Sequence, residues 1–286
     1  MHLGRLFTTI GLGAALVQAT PIQDQISKAT AATPRSASPD QPAKHFHEAD
    51  FSEHYDPRFA SAPLNETAQR AAVKVLVQTY LSTVRDLGVQ TWLSHNALLG
   101  WWWNKQVLPW DAQPTVQLSE NGIRFLAAYY NMTTWYYKYP GVPGGREFQL
   151  EVNPNYVHGA VDDEAANTID ARWIDMENGL FIDIMAVRYV KDHPEGENVL
   201  ASKDGHEFRD TYLYPLLETT FEGVKTKIPY QYKSMLVAEY GEDVLINKEI
   251  KKWVSNLARP GEHIADNFHS HKFVDNDMEW VPNEEL

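Results

Sequence analysis

Apolar residues recur at helical spacing between Glu66 and Leu87, and charged residues fill the positions between them. Gly88 follows at once, and glycine is the usual residue at a helix C-terminus because it adopts positive φ without strain. The spacing therefore predicts a long helix with one buried face. The apolar positions that define this face are Ala72, Leu76, Tyr80, Val84 and Leu87.

The strongest strand signal lies between Thr168 and Val187, where two apolar runs flank Asn178-Gly179. Both residues of this pair tolerate positive φ, so the pattern predicts a β-hairpin. If the loop has an even number of residues, the numbers of any two residues that face each other across the hairpin sum to an odd value. Asp183 then faces an even-numbered residue of the first strand and lies on the same sheet face as Asp170 and Arg172. An odd-length loop would break this arrangement.

Shorter patterns complete the predicted core. Helices and strands alternate without a regular βαβ rhythm, which indicates an α+β fold with a mixed sheet flanked by helices in a single domain. The predicted elements are a strand in Gln90–Leu93, a helical turn in Asn96–Asn104, a strand edge in Val107–Leu118, a helix over Ser119–Asn131 capped by Ser119, and a last helix over Tyr230–Tyr240.

The N-terminal region is typical of a signal peptide. Arg5 precedes an apolar stretch from Leu6 to Val17, and small residues suit cleavage after Ala19. The stretch is far shorter than the ~20 residues that a membrane-spanning helix needs, so we expect no membrane insertion beyond this signal, although retained anchoring stays open. We expect the secretory pathway, with the protein either secreted or in the Golgi lumen.

The composition of the rest of the chain indicates a linker, a domain and a tail. Residues 20–44 are rich in Ala, Thr, Ser and Pro, which indicates a disordered linker. The domain is predicted over residues 45–258 and begins with an extended segment, His45 to Phe59, expected to pack on the domain edge. Residues 259–286 form a polar tail, and its His263, His269 and His271 are interpreted as solvated.

Overall composition narrows the function classes. A hydrophobic fraction of 43% can supply a buried core, whereas a net charge of -13 disfavours nucleic acid and anionic lipid as partners. The chain has no cysteine, so core size must stabilise it. Asn65-Glu66-Thr67 and Asn131-Met132-Thr133 are acceptors for N-glycosylation at Asn65 and Asn131, which agrees with a secretory route.

Several motifs in order resemble the LicD/fukutin family of phosphotransferases, and most closely its fungal members linked to mannosylphosphate transfer. They cover about residues 55–241 and comprise Trp92–Gly100, Pro109-Trp110-Asp111, Ile169–Asp175, Gly179–Ile184, Glu218–Val224, Ile228-Pro229 and Glu239-Tyr240-Gly241. The resemblance implies a nucleotidyltransferase-like fold in which carboxylates on strands hold Mg²⁺ or Mn²⁺ against phosphate.

The chain departs from the family pattern in its acidic motif. Asp111 matches the first aspartate, but Gln113 and Thr115 stand where the family has two more, and Pro114 lies between them. Upstream, Asn96-Ala97 replaces the family's Gly-Thr. Loss of two negative charges weakens divalent-cation affinity, so metal-dependent catalysis is expected to be weak or absent.

The resemblance implies two acids for catalysis and metal binding, Asp111 and Asp183. The side chains expected to contact substrate are Asn96, Gln113, Thr115, Asp170 and Arg172. A buried salt bridge that orders the sheet is an equal alternative for Asp183 and its basic neighbours. Trp101-Trp102-Trp103 suits either a sugar platform or core packing.

Three functions stay open. The first is a LicD/fukutin-like protein that acts on cell-surface glycans, as a weak transferase or as a regulator of an active transferase relative. The second is a non-catalytic protein that binds a glycan or a nucleotide-sugar. The third is an unrelated secreted carbohydrate-binding domain, which fits the aromatic residues but leaves the ordered motifs unexplained.

Overall fold

The computed structural model describes residues 43–139, 142–158, 167–194, 196–246, 271–273 and 280–282, and of the last two stretches only the backbone. The predicted signal peptide, nearly all of the predicted linker, His263 and His269 lie outside these residues. All described residues belong to one compact unit.

Five helices lie in the described part of the chain. They are α1 (Glu66–Asp86), α2 (His95–Asn104), α3 (Glu120–Tyr129), α4 (Asp210–Leu213) and α5 (Tyr232–Tyr240), with 3-10 turns at Pro154–Val157 and Glu242–Leu245. The predicted helix over 66–87 is confirmed, and Asn65 Oδ1 caps it by accepting from Ala68 N at 2.9 Å. Ser119 caps α3 as predicted, through Gly122 N at 3.2 Å.

The strands form a mixed sheet. It contains β1 (Thr91–Leu93), β2 (Thr115–Ser119), β3 (Thr133–Tyr139), β4 (Val142–Val152), β5 (Ala171–Asp175), β6 (Phe181–Tyr189), β7 (Val199–Ala201) and β8 (Glu207–Arg209). The order is β1-β2-β6-β5-β4-β3, with β7 joining β6 and β8; β2 and β6 run parallel, and every other pair is antiparallel. The predicted α+β class with a mixed sheet is therefore confirmed.

Two small sheets and one hairpin lie outside the predicted elements. β9 (Leu217–Phe221) pairs with β10 (Val224–Ile228), and β11 (His271–Phe273) pairs with β12 (Trp280–Pro282) inside the predicted tail. The β3–β4 hairpin was not predicted. The strand predicted within 107–118 begins only at Thr115, directly after Pro114, which has no amide hydrogen for a sheet.

The predicted hairpin around Asn178-Gly179 is confirmed, with an even loop of four residues. Asp175 N donates to Leu180 O at 2.8 Å, and Arg172 lies opposite Asp183. Only Gly179 of the pair has positive φ, at 78°. A Cβ there would lie 2.8 Å from Asp56 O, so both the backbone conformation and the close approach require glycine.

The two faces of the sheet differ sharply in chemistry. On one face Leu150, Trp173 and Ile182 lie opposite one another on β4, β5 and β6, and Trp173 Nε1 donates to Thr79 Oγ1 of α1 at 3.1 Å. One residue along, the other face carries a row of four polar side chains on β4, β5, β6 and β2. This polar row consists of Glu151, Arg172, Asp183 and Thr115.

Residues 43–59 form a covering segment over the polar row. His45 Nε2 lies 3.0 Å from Glu151 Oε1, and Arg172 donates to Glu48 Oε1 at 2.8 Å. This segment was predicted to pack on the domain edge, and the contacts that it makes are with the central strands β4 and β5. The charged side chains of the covering segment complement those of the polar row.

Candidate functional site

The acidic motif lies in the loop between α2 and β2. Asp111 is buried, and its Oδ1 accepts from the backbone N of Gln113 at 3.1 Å. The Gln113 side chain crosses to β6, where Nε2 donates to Asp183 Oδ2, while its Oε1 lies 3.2 Å from His54 Nδ1 of the covering segment. Gln113 therefore joins the two acids that the sequence singled out, and all three lie in one place.

Arg172 neutralises Asp183 from the neighbouring strand. Its Nε donates to Asp183 Oδ1 at 2.8 Å, and its guanidinium stacks on the Phe181 ring, 3.7 Å from the centroid. Phe46 of the covering segment lies on the same guanidinium, at 4.7 Å. Both oxygens of Asp183 are thus engaged inside the protein. We call Asp111, Gln113, Arg172 and Asp183 the Asp183 cluster.

Asp111 has one oxygen without a hydrogen bond. Its Oδ2 is buried and accepts from no group among the described residues. Burial is the main influence on this carboxyl and raises its pKa from 3.8 to about 6, although the Gln113 amide and His54 act in the opposite direction. The carboxyl therefore favours its neutral form more than an exposed aspartate does.

Two further predicted site residues are Thr115 and Asn96. Thr115 lies opposite Asp183 in the parallel β2–β6 pair, so its side chain shares the face of the acid. Asn96, in the first turn of α2, accepts from the Tyr240 hydroxyl at 3.3 Å. Thr115 therefore lies beside Asp183, whereas the Asn96 side chain contacts α5 through Tyr240.

Asp170 lies in a different ionic cluster. Its carboxylate contacts Arg188 at 2.9 Å and Lys203 at 3.2 Å, and accepts from Ala186 N at 2.7 Å. All of these contacts are internal, and Asp170 is fully buried. Asp170 lies two positions before Arg172, as the predicted shared face requires, but its side chain does not contact the Asp183 cluster.

Other predicted features have clear positions. Asn65 and Asn131 are exposed, as glycosylation would require. Trp101 and Trp102 pack on the Tyr232 ring and the core, and Trp101 Nε1 donates to Thr219 Oγ1 at 2.8 Å, which agrees with packing. No helix in the described ranges combines the length and hydropathy needed to span a bilayer.

Sequence reasoning missed several residues that complete the site. Glu48 and His54 come from the covering segment, and Glu151 comes from a strand that was not predicted. The density of acids and histidines between His45 and Phe59 was the available signal. A second cluster around His95 and Glu239 was also missed, although both residues lie within motifs that resemble the family.

Comparison with known proteins gives two relatives, both from Saccharomyces cerevisiae. "Mannosyltransferase regulator 14" is 28% identical over 171 residues, which is 54% of this chain and 18% of the relative. "Mannosyltransferase regulator 4" is 30% identical over 134 residues, which is 46% of this chain and 11% of the relative. The chain thus matches less than a fifth of the length of either relative. No family model matches the chain.

Proposed function

We propose that the chain regulates mannosyl or mannosylphosphate transfer to glycans in the secretory pathway, on a LicD/fukutin-type, nucleotidyltransferase-like fold. The observation that carries the proposal is that both carboxylate oxygens of Asp183 accept hydrogen bonds within the protein, one from Arg172 and one from Gln113. The names of the two yeast relatives support a role in regulation. The ordered motifs that resemble LicD proteins support the fold and the link to mannosylphosphate.

The residues of the Asp183 cluster are poorly suited to Mg²⁺ or Mn²⁺. These ions favour several carboxylate or water oxygens, and affinity depends on the number of negative charges. Here the charge of Asp183 is compensated by Arg172, and burial disfavours the charged form of Asp111. Gln113 and Thr115 add no charge. We therefore derive no catalytic step that passes through a metal at this position.

Metal titration tests this part of the proposal. Calorimetry with Mn²⁺ and Mg²⁺ should detect no binding to the purified chain that Asp111→Asn removes, whereas Gln113→Asp with Thr115→Asp should gain affinity because two charges return beside Asp111. Gln113→Asn with Thr115→Ser is the matched control and should gain none. Tight Mn²⁺ binding by the unchanged chain that Asp111→Asn abolishes would contradict the proposal.

A transfer assay tests regulation. Yeast microsomes that hold their own transferases would receive the purified chain, a labelled sugar-nucleotide donor and an oligomannose acceptor. We expect transfer to rise about twofold or more with the chain and equally with Asp111→Asn, and the chain alone to transfer nothing. Turnover by the chain alone that is lost in Asp111→Asn would make it a transferase instead.

A glycan- or nucleotide-sugar-binding function is the second candidate. The buried Asp111 Oδ2, which lacks a donor among the described residues, favours it because a ligand hydroxyl would supply one. Titration with a nucleotide-sugar and with oligomannose tests this function. Binding that weakens in Asp111→Asn, without stimulation of microsomal transfer, would favour binding over regulation.

The route through the secretory pathway is part of the same proposal. Residues 1–19 support it by their pattern, and the exposure of Asn65 and Asn131 permits glycosylation. The chain recovered from a eukaryotic host should lose mass on endoglycosidase treatment, and Asn65→Gln with Asn131→Gln should remove that shift. A full-length chain that is unglycosylated and retains residues 1–19 would contradict this route.

A further inference from the structure

A second polar cluster joins three elements near the Asp183 cluster. Ser94, the residue before His95, donates from Oγ to the backbone oxygen of Thr115, which lies opposite Asp183, at 3.3 Å. His95 is the first residue of α2 and has φ of +48°, an unusual value for a residue other than glycine. Asp204 and His206 lie in and just after the turn that connects β7 and β8, and Glu239 lies near the end of α5. We call these four residues the His95 cluster.

Two carboxylates converge on the His95 ring. Glu239 Oε1 lies 2.7 Å from Nδ1, and Asp204 Oδ2 lies 3.2 Å from Nε2, within ion-pair range but without good hydrogen-bond geometry. The same Asp204 oxygen lies 3.0 Å from Nδ1 of His206, whose ring packs edge-on against His95 at 4.8 Å between centroids. One oxygen of Asp204 therefore lies against one nitrogen of each imidazole.

The cluster carries excess negative charge at a largely buried position. With both histidines neutral, Asp204 and Glu239 would leave two uncompensated charges. The surroundings of His95 therefore favour a positive charge.

The ligand atoms also suit a small cation. Single donor atoms of His95, His206 and Glu239 all lie within 4.8 Å of one another. Zinc bonds of about 2.0–2.1 Å in a tetrahedron separate ligand atoms by roughly 3.4 Å. The widest pair of donor atoms would therefore have to approach by up to about 1.4 Å, and the 2.7 Å contact between Glu239 Oε1 and His95 Nδ1 would have to lengthen. Two imidazoles and one carboxylate are typical zinc ligands, and a carboxylate that fixes the ligand imidazoles is a frequent companion, the place that Asp204 occupies.

We propose that His95, His206 and Glu239 bind one zinc ion, with Asp204 as the residue that positions both imidazoles. His206 is 47% exposed in its side chain, so the cation has a route from solvent and a position for a water ligand. The Tyr240 hydroxyl, on the residue after Glu239, donates to Asn96, the residue after His95. The ion would thus connect α2 and α5 beside the Asp183 cluster, and this site is independent of the proposed function.

Zinc titration of the full chain tests the proposal. After removal of metal with a chelator, competition with a chromogenic zinc indicator should give one Zn²⁺ per chain. His206→Ala should abolish this binding or weaken it at least tenfold, and Asp204→Asn should weaken it by roughly 10- to 100-fold, as expected for loss of a residue that orients a ligand. Co²⁺ in place of zinc should give tetrahedral visible absorption that His206→Ala removes.

Three controls make the result specific. His47→Ala removes an exposed histidine outside the cluster and should leave zinc binding unchanged. Glu239→Gln tests the third ligand with little change of shape. Because His269 and His271 also form a His-x-His pair, His269→Ala with His271→Ala should keep the site. The proposal is overturned if the unchanged chain binds no zinc, if His206→Ala binds as well as the unchanged chain, or if only the tail variant loses binding.

Discussion

The Asp183 cluster and the His95 cluster are neighbours with opposite charge balance. In the first, one guanidinium between two aromatic rings compensates an acid, and an amide side chain satisfies its other oxygen. In the second, two carboxylates share the His95 imidazole, and the adjoining His206 is half exposed. In the Asp183 cluster, which the sequence indicated as a possible metal site, protein groups thus occupy both oxygens of Asp183. In the His95 cluster, for which the sequence indicated no role, two carboxylates can attract a cation.

The largest expected effect comes from breaking the compensated pair. Arg172→Met should lower the free energy of unfolding by about 3–5 kcal/mol, because it leaves Asp183 buried without its counter-charge. Chemical denaturation at pH 7.5 measures the loss.

Two comparisons make this prediction specific. Arg172→Met with Asp183→Leu should recover part of the loss, since an apolar pair suits the space between Phe46 and Phe181. Arg124→Met removes an exposed helical ion pair with Glu120 and should cost at most about 0.5 kcal/mol. A loss below 1 kcal/mol in Arg172→Met would show that Asp183 does not depend on Arg172.

Asp111→Asn is expected to raise the free energy of unfolding, by less than Arg172→Met lowers it. The pKa of Asp111 is higher in the folded chain than the ordinary 3.8, at about 6, so the folded state binds more protons between pH 4 and pH 6. The free energy of unfolding therefore falls as pH rises through this window, by up to about 3 kcal/mol for two pKa units. Asp111→Asn should be about 1–3 kcal/mol more stable than the unchanged chain at pH 7.5.

The pH profile checks the cause of this effect. Urea denaturation at pH 4 and pH 7.5 should show that the gain from Asp111→Asn shrinks at the lower pH, where the carboxyl is protonated in the folded chain. Asp50→Asn, at an exposed position, should change stability by at most about 0.5 kcal/mol at either pH. An equal gain at both pH values would indicate a packing effect rather than an ionisation effect.

The sequence predicted the parts of this comparison that depend on local patterns. The loop of the Asn178-Gly179 hairpin sets the register that places Arg172 opposite Asp183, and the shared sheet face of these two residues was deduced from the even loop length. Asp170 has the same parity as Arg172, but its side chain contacts Arg188, further along β6, and Lys203, after β7, instead of Asp183.

Contacts between distant segments could not be deduced in this way. Gln113 was expected to replace an acid and to contact substrate, since a sequence motif does not show that its amide reaches Asp183 on β6. The covering segment and the His95 cluster join residues separated by more than 100 positions, such as Arg172 with Glu48 and His95 with Glu239. Only the folded chain brings these residues together.

The smallest expected effect concerns His206 in the metal-free chain. Its side chain is half exposed, so loss of its ionic contact with Asp204 and its edge-on contact with the His95 ring in His206→Ala should change the free energy of unfolding by at most about 0.5 kcal/mol in the presence of a chelator. Glu239→Gln should cost more, because Glu239 contacts the largely buried His95 directly. Thermal denaturation of both variants beside the unchanged chain measures this difference. A large metal-free loss in His206→Ala would mean that the ring supports the fold by itself, which would remove the contrast between the two clusters.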